Sequence, residues 1–252
     1  MEPSAAVSSI TEQCARYLAL LDLQPGEVAL EAGCGGGRAL AIARGRLPRT
    51  RWVGLDRVAR FLEQAREACP GVPLARGDLC QLPFAASSLD AVFSRDTLEC
   101  LPDPVRHLDE CARVLRPGGR LLLAHWDWDT QVFNCADLAL TRTVVRAYAD
   151  AQQGWMEHHD PAMGRKLHGL VGRHAGLDLI DAGATVLLDH EWRPGGFGYE
   201  QSQTMARFLP ARGLVAEADV RRWLELIKAA AAAGDYLCSA NHYWCLARKR
   251  GA

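Results

Sequence analysis

Val28-Ala29-Leu30-Glu31-Ala32-Gly33-Cys34-Gly35-Gly36-Gly37-Arg38 opens as an apolar run and closes in a cluster of glycines. Ala39-Leu40-Ala41-Ile42-Ala43 follows as good helix-forming sequence. The order is strand, glycine turn, helix. Glycine has no Cβ and tolerates positive φ, so such a turn lets backbone approach a ligand closely. A dinucleotide fingerprint reads G-x-G-x-x-G. Gly33 and Gly35 supply its first two glycines, but the third position is Arg38, which does not suit the close helix–strand packing that glycine serves. No Gly-Lys-Ser/Thr follows, which excludes a P-loop. The turn therefore points away from a pyrophosphate and toward a nucleoside with a short neutral linkage.

On either side the chain alternates strand and helix. An N-terminal helix is expected over residues 4–22, with Ile10, Cys14, Tyr17, Leu18 and Leu21 at helical spacing. After the glycine turn and its helix, strands are expected at 52–55, 72–75, 89–94 and 120–126. Helices are expected at 58–69 and 104–115, the latter opened by Asp103 and Pro104. Most of these strands are continuously apolar, as in a parallel sheet covered on both faces. Beyond 126 the pattern gives helices at 137–151 and 162–174, a strand at 177–189, helices at 200–211 and 217–233, and a last strand at 236–247. The expectation is one α/β domain, residues 1–252, with a Rossmann-like, seven-stranded, mostly parallel sheet whose last strand is antiparallel. Residues 1–24 form the N-terminal helix, 25–126 the cofactor-binding core, and 127–252 the substrate side, with a helical insertion at about 192–235. Ligands of such sheets bind at the carboxyl ends of the strands.

Composition narrows the function classes. Lys plus Arg number 29 against 30 Asp plus Glu, a formal net charge of −1, so there is no basic excess for nucleic-acid or membrane-surface binding. No apolar run reaches the roughly 18–20 residues of a membrane helix. Met1-Glu2-Pro3-Ser4 has no basic n-region, so no signal peptide is expected. The nine cysteines contain no Cys-x-x-Cys pair and suit free thiols in a reducing compartment. A cytoplasmic monomer or homodimer is the expectation.

Asp56 stands at the end of the second core strand, 19 residues beyond Gly37. A carboxylate there can accept both ribose hydroxyls in charge-assisted hydrogen bonds; the competing reading is a turn aspartate capping the next helix. With Glu31-Ala32-Gly33-Cys34-Gly35-Gly36-Gly37, Asp56, Gly77-Asp78-Leu79, Asp90-Ala91-Val92-Phe93-Ser94 and Leu115-Arg116-Pro117-Gly118-Gly119 in register, the chain resembles the class I S-adenosylmethionine-dependent methyltransferases. The likeness is greatest to the group related to ubiquinone and menaquinone biosynthesis, and it covers residues 28–126. It implies that the turn (Gly33, Cys34, Gly35, Gly37) contacts the methionine part and ribose of S-adenosylmethionine. It further implies that Glu31 orders the turn or meets the cofactor's amino group, that Asp56 holds the ribose and that Arg57 lies beside the adenine. Asp78 and the Leu79 amide would read the adenine edge, and Ser94 and Arg95 would border the methionine end. Asp78 as a turn cap, and Arg95 paired with Asp96 or Glu99, are the competing readings. Relatives often carry a histidine within Leu98-Glu99-Cys100-Leu101; this chain has Cys100, so that histidine's role does not carry over.

Methyl transfer from an activated sulfonium needs chiefly positioning of the acceptor, and a base only if the nucleophile must lose a proton. The candidate base is His125, expected at the carboxyl end of its strand with Asp127 and Asp129 to orient it; the alternative is a structural histidine. His158 and His159, with Trp126 and Trp128, are candidates for an acceptor pocket, although most aromatics beyond 126 also suit the core of a cap. No metal site is expected: period two puts Cys238 and His242 on one strand face and Cys245 on the other. The resulting expectation is methyl transfer from S-adenosylmethionine to a small-molecule acceptor in specialised or cofactor metabolism. The alternatives are cyclisation or aminocarboxypropyl transfer on the same fold, or methylation of a protein. Nucleic acid is disfavoured, because Ser94-Arg95-Asp96-Thr97 lacks the Asn/Asp-Pro-Pro-Tyr/Phe motif used for base amines.

Overall fold

The computed structural model describes residues 6–251. Its eight strands are β1 (Ala6–Val7), β2 (Val28–Ala32), β3 (Arg51–Asp56), β4 (Leu74–Arg76), β5 (Leu89–Arg95), β6 (Leu115–Phe133), β7 (Leu177–Asp189) and β8 (Cys238–Lys249). They form one sheet in the order β1-β7-β8-β6-β5-β2-β3-β4. Only β8 runs antiparallel to its neighbours. The Rossmann-like class is as expected, with one strand more than the seven anticipated: β1 pairs Ala6 and Val7 with Val186 and Leu187 at the β7 edge.

The eight helices are α1 (Ile10–Leu20), α2 (Arg38–Arg46), α3 (Ala59–Ala68), α4 (Pro104–Val114), α5 (Leu138–Ala149), α6 (Met163–Gly172), α7 (Phe197–Ala211) and α8 (Glu217–Ala232). The helix expected from residue 4 begins at Ile10, where the Ser9 side chain accepts the Glu12 amide as an N-cap; residues 1–5 lie outside the described part. Asp103 caps α4 by accepting the Arg106 amide, with Pro104 at its first position. Helices α7 and α8 stand between β7 and β8.

Side chains alternate across the sheet, so the apolar strands feed two cores. Leu30, Val92, Leu121 and Leu123 pack with α4 and α6 on one face. Ala29, Ala91, Phe93 and Leu122 pack with α1, α2 and α3 on the other. A third core gathers α5, α7 and α8 around the far ends of β6, β7 and β8, and includes Trp126, Trp223 and Phe197.

The strand expected to end at residue 126 runs to Phe133. The cause is β8, which pairs with it through Trp126–His242 and Asp127–Asn241 and, past an irregularity, through Val132–Ser239 and Phe133–Cys238. The irregularity leaves Trp128–Gln131 outside the ladder. His125 consequently sits inside a strand, not at its end.

Candidate active site

The glycine turn is built on β3. Gly33 and Cys34 both donate their amides to the Leu55 carbonyl, at 2.8 and 3.0 Å. Gly33, Gly35 and Gly37 have φ of +79°, +50° and +79°, a region that disfavours side chains. At Gly33 a Cβ would lie 2.3 Å from Thr97 Oγ1, and at Gly37 one would lie 2.9 Å from Ala65 Cα. A Cβ at Gly35 would meet nothing within 4 Å. Two glycines are thus required for packing and Gly35 borders open space.

Asp56 ties this turn to the start of α3. Its Oδ2 accepts the Gly35 amide at 2.8 Å and its Oδ1 accepts the Val58 amide at 2.8 Å. Each oxygen keeps a lone pair. The cap reading and the ligand reading of Asp56 are therefore compatible. Gly33, Gly35, Asp56, Arg57, Val58, Phe61, Leu79, Asp96, Thr97, Cys100, Leu101 and Trp155 enclose a cleft of about 120 Å³. Arg57 reaches over it to pair with Glu157, and Trp155 meets Phe61 edge-on with ring centroids 5.9 Å apart.

Of the other expected residues, Leu79 lines the cleft and Cys34, Ser94, Asp78, Trp126 and His158 do not. The Cys34 side chain is buried in the α1–α3 core, and burial pushes its thiol pKa up. Ser94 is buried and donates to the Ala32 carbonyl at 2.9 Å. Asp78 is exposed and accepts the Cys80 amide at 2.8 Å, beside Arg57, Arg76 and Glu157. Leu79 is buried and lines the cleft. Trp126 is core, stacked on Phe197 and edge-on to His242. His158 is exposed, held by its amide to the Cys100 carbonyl.

Behind the turn lies a buried polar cluster. Arg95 pairs with Asp96 at 3.0 Å, as one of the two pairings anticipated. Burial works against the Asp96 charge, but Arg95 and the hydrogen-bonded His242 together hold the carboxyl well below the usual range. Asp96 Oδ1 accepts from His242 Nε2 at 2.8 Å, and His242 Nδ1 accepts from the Tyr17 hydroxyl at 2.8 Å. Burial pushes His242 down to about 4, so it serves this chain as a neutral ring. Asp96 has φ +54°, a strained backbone for a non-glycine residue, at the wall of the cleft. Glu31 Oε2 and Arg95 Nε are both buried without a partner in the protein. Burial pushes the Glu31 carboxyl up to about 8.

His125 is fully buried. Its Nε2 accepts the Glu99 amide at 3.3 Å and its Nδ1 faces the Trp126 carbonyl at 3.2 Å. Asp127 and Asp129 do not orient it; both pair with Arg165. The side chain that reaches free space from this region is Glu99. With Trp128, Tyr148, Ala151, Gln153, Trp155, Met156 and His159 it lines a second cavity of about 110 Å³. Trp155 is the wall common to both cavities. A larger groove of about 570 Å³ between the end of β6 and α5 shares only Trp128 with these cavities and contains no glycine-turn residue.

Sequence reading missed Asp96, Thr97, Glu99 and Tyr148 as site residues. Asp96 and Thr97 had a signal, since they directly follow the fourth core strand. Tyr148 had none, because its place depends on how the segment after α5 folds back; Trp155 is one of the aromatics beyond 126 that suit either a pocket wall or the core of a cap.

The comparisons agree with this geometry. The model of the "Methyltransferase domain" family matches residues 30–123. Trans-aconitate 2-methyltransferase of an Azoarcus species is 36% identical over 106 residues, 42% of this chain and 42% of the relative. A protein of Encephalitozoon cuniculi that carries the provisional description of a methyltransferase is 30% identical over 166 residues, 65% of this chain and 72% of its own. Among solved structures, a protein of Bacillus halodurans with the same provisional description superposes with a TM-score of 0.63 at 19% identity, covering 95% of this chain and 100% of that one. The chain belongs to the class I S-adenosylmethionine-dependent methyltransferases. It spans less than half the length of several curated relatives, 46% and 42% of two of them. Among the described residues no helix is long and apolar enough to cross a membrane.

Proposed function

We propose that this protein transfers a methyl group from S-adenosylmethionine to a small-molecule acceptor. The observation that carries the reading is the cleft at the carboxyl ends of β2, β3 and β5, where the glycine turn and the Asp56 carboxylate face a common space. The family is defined by this cofactor, and the residues present fit it. Asp56 retains lone pairs for a ribose diol. The orphaned Glu31 Oε2 suits the amino group of the methionine part, and the orphaned Arg95 Nε suits its carboxylate. Leu79 and Phe61 offer apolar surface to the adenine, and Arg57 stands beside them.

When bound, the cofactor supplies a sulfonium-activated methyl group. The chain's own part is to hold the acceptor in line with it and to exclude water. The segment 152–162 performs the exclusion. It is pinned by the Asp160 amide to the Glu99 carbonyl (3.2 Å), the His158 amide to the Cys100 carbonyl (3.2 Å) and the Trp128 amide to the Pro161 carbonyl (2.9 Å). An enclosed space of this size suits a small molecule or a small terminal group. The balanced charge offers no track for nucleic acid.

The test is incubation with methyl-labelled cofactor and a panel of small acceptors, read by mass. A gain of about 14 Da with release of S-adenosylhomocysteine is the expected result; cofactor consumption with no methylated product would overturn the reading.

A further inference from the structure

The cavity around Glu99 has a one-sided chemistry. Glu99 is 4% exposed, and one of its oxygens accepts from Trp128 Nε1 at 3.0 Å. No arginine or lysine lines the cavity. The charged and titratable groups around Glu99 are His125, His159, Asp96 and Tyr148. Of these, His125 is 4.0 Å away with both nitrogens already engaged. Burial raises the Glu99 pKa, against the lowering effect of His125, the Trp128 hydrogen bond and His159; a bound cation would favour its ionised form. His159 hydrogen-bonds the Ala149 carbonyl through Nε2, which in the neutral ring makes Nδ1 the acceptor. That Nδ1 is buried and has no partner. The cavity thus presents a carboxylate and a bare nitrogen acceptor, walled by Trp128, Tyr148 and Trp155. Trp128 and Tyr148 meet edge-on at 6.2 Å.

An anionic acceptor entering this space would meet the Glu99 carboxyl and no arginine or lysine to pair with. A neutral alcohol would satisfy one acceptor and leave the charge unpaired. An alkylammonium ion satisfies all three features: charge pairing with Glu99, an N–H for His159 Nδ1, and aromatic faces for the cation.

Resting on the methyl-transfer reading above, we propose that the acceptor is a small aliphatic amine, bound as its ammonium form between Glu99, His159 and the Trp128–Tyr148–Trp155 aromatics and methylated on nitrogen. Glu99 takes the ammonium proton, which frees the nitrogen lone pair. The nitrogen–methyl bond forms as the sulfur–methyl bond breaks, and the bonding pair stays on sulfur to give the neutral thioether. The carboxylate ends protonated, and the positive charge passes from sulfur to nitrogen, so the product forms as the N-methylated ammonium ion with one more carbon. The cavity residues from Trp128 to His159 lie outside the 30–123 stretch matched by the family model, whereas Glu99 lies within it.

The test uses three probes of equal length and different charge, n-butylamine (as its ammonium ion), n-butanol and butyrate. Each is titrated by tryptophan fluorescence into protein saturated with S-adenosylhomocysteine, whose own binding is measured first by calorimetry. The expected result is that butylammonium binds at least tenfold more tightly than butanol or butyrate, and that Glu99→Gln removes the preference. The glutamine keeps an acceptor for Trp128 Nε1, and its folding is checked by an unchanged thermal midpoint within a few degrees. Equal or tighter binding of butanol or butyrate, or no binding of butylammonium, overturns the proposal. Failure of S-adenosylhomocysteine to bind would instead count against the cofactor reading, and the three probes titrated alone would still report the cavity's preference.

Discussion

The Asp56 carboxylate accepts the Gly35 amide at 2.8 Å while its other oxygen accepts the Val58 amide at the same distance. One side chain therefore sets the shape of the glycine turn and the start of α3, and keeps lone pairs directed at the space between them. Binding and local folding are coupled at this residue, and the two effects separate only when the turn is perturbed at different glycines.

Gly33 and Gly35 make that separation. Gly33→Ala places a methyl 2.3 Å from Thr97 Oγ1 at φ +79°. Strain of roughly 1–3 kcal/mol from the backbone is joined by a collision with a buried side chain. A clear fall in thermal midpoint is expected. Gly35→Ala has φ +50° but meets no atom within 4 Å. Its methyl enters the cleft, so affinity for S-adenosylhomocysteine should fall while stability falls less than in Gly33→Ala. Equal thermal midpoints for the two variants would refute this division.

Glu31 gives a pH dependence with a defined sign. Burial raises its carboxyl from 4.5 to about 8, although Arg95 pulls the other way. Between those values the folded protein holds a proton that the unfolded chain has released, so stability decreases as pH rises through the window. The thermal midpoint of the free protein should drop between about pH 5 and 8, and Glu31→Gln should remove that component. A ligand ammonium group on Glu31 favours its ionised form. S-adenosylhomocysteine should then bind more tightly as pH rises from 6.5 to 8, with proton release detectable by calorimetry in buffers of different ionisation enthalpy. Affinity that is flat over this range would remove Glu31 from the amino-group site.

His125→Ala tests whether that ring is held for structure. It leaves the Glu99 amide without an acceptor in a buried place, at a cost of roughly 1–3 kcal/mol, and adds a cavity between strands. The expected outcome is a large drop in thermal midpoint with cofactor affinity within about twofold. An unchanged midpoint together with lost turnover would restore His125 as a base.

The difference between the legible and the hidden parts of this chain follows from range. The strand–glycine turn–helix unit is local, and its apolar run, glycines and helix formers are contiguous. Asp56 was legible because it sits at a strand end, where the α/β fold puts ligands, and Leu79 through the family resemblance carried by Gly77-Asp78-Leu79. Ser94 and Cys34 share those motifs, but their side chains turn into the core, a fact set by pleat and by packing on Gly54. His125 was read at a strand end because the apolar run stops at 126. The ladder with β8 carries the strand on to Phe133, and a partner more than 100 residues away leaves no mark in local pattern. The two-residue β1 has no periodicity to read. The acceptor cavity is the extreme case, since Glu99, Tyr148 and His159 meet only because the segment after α5 returns to the 3-10 turn at Leu98–Cys100.

Calorimetric titration of S-adenosylhomocysteine into the native protein and into Asp56→Ala addresses the central claim most directly. Charge-assisted hydrogen bonds to a ribose contribute about 1.5–3 kcal/mol each. The account predicts one site per chain in the native protein and at least a tenfold weaker one in Asp56→Ala. No binding to the native protein, or equal affinity in the variant, would contradict it.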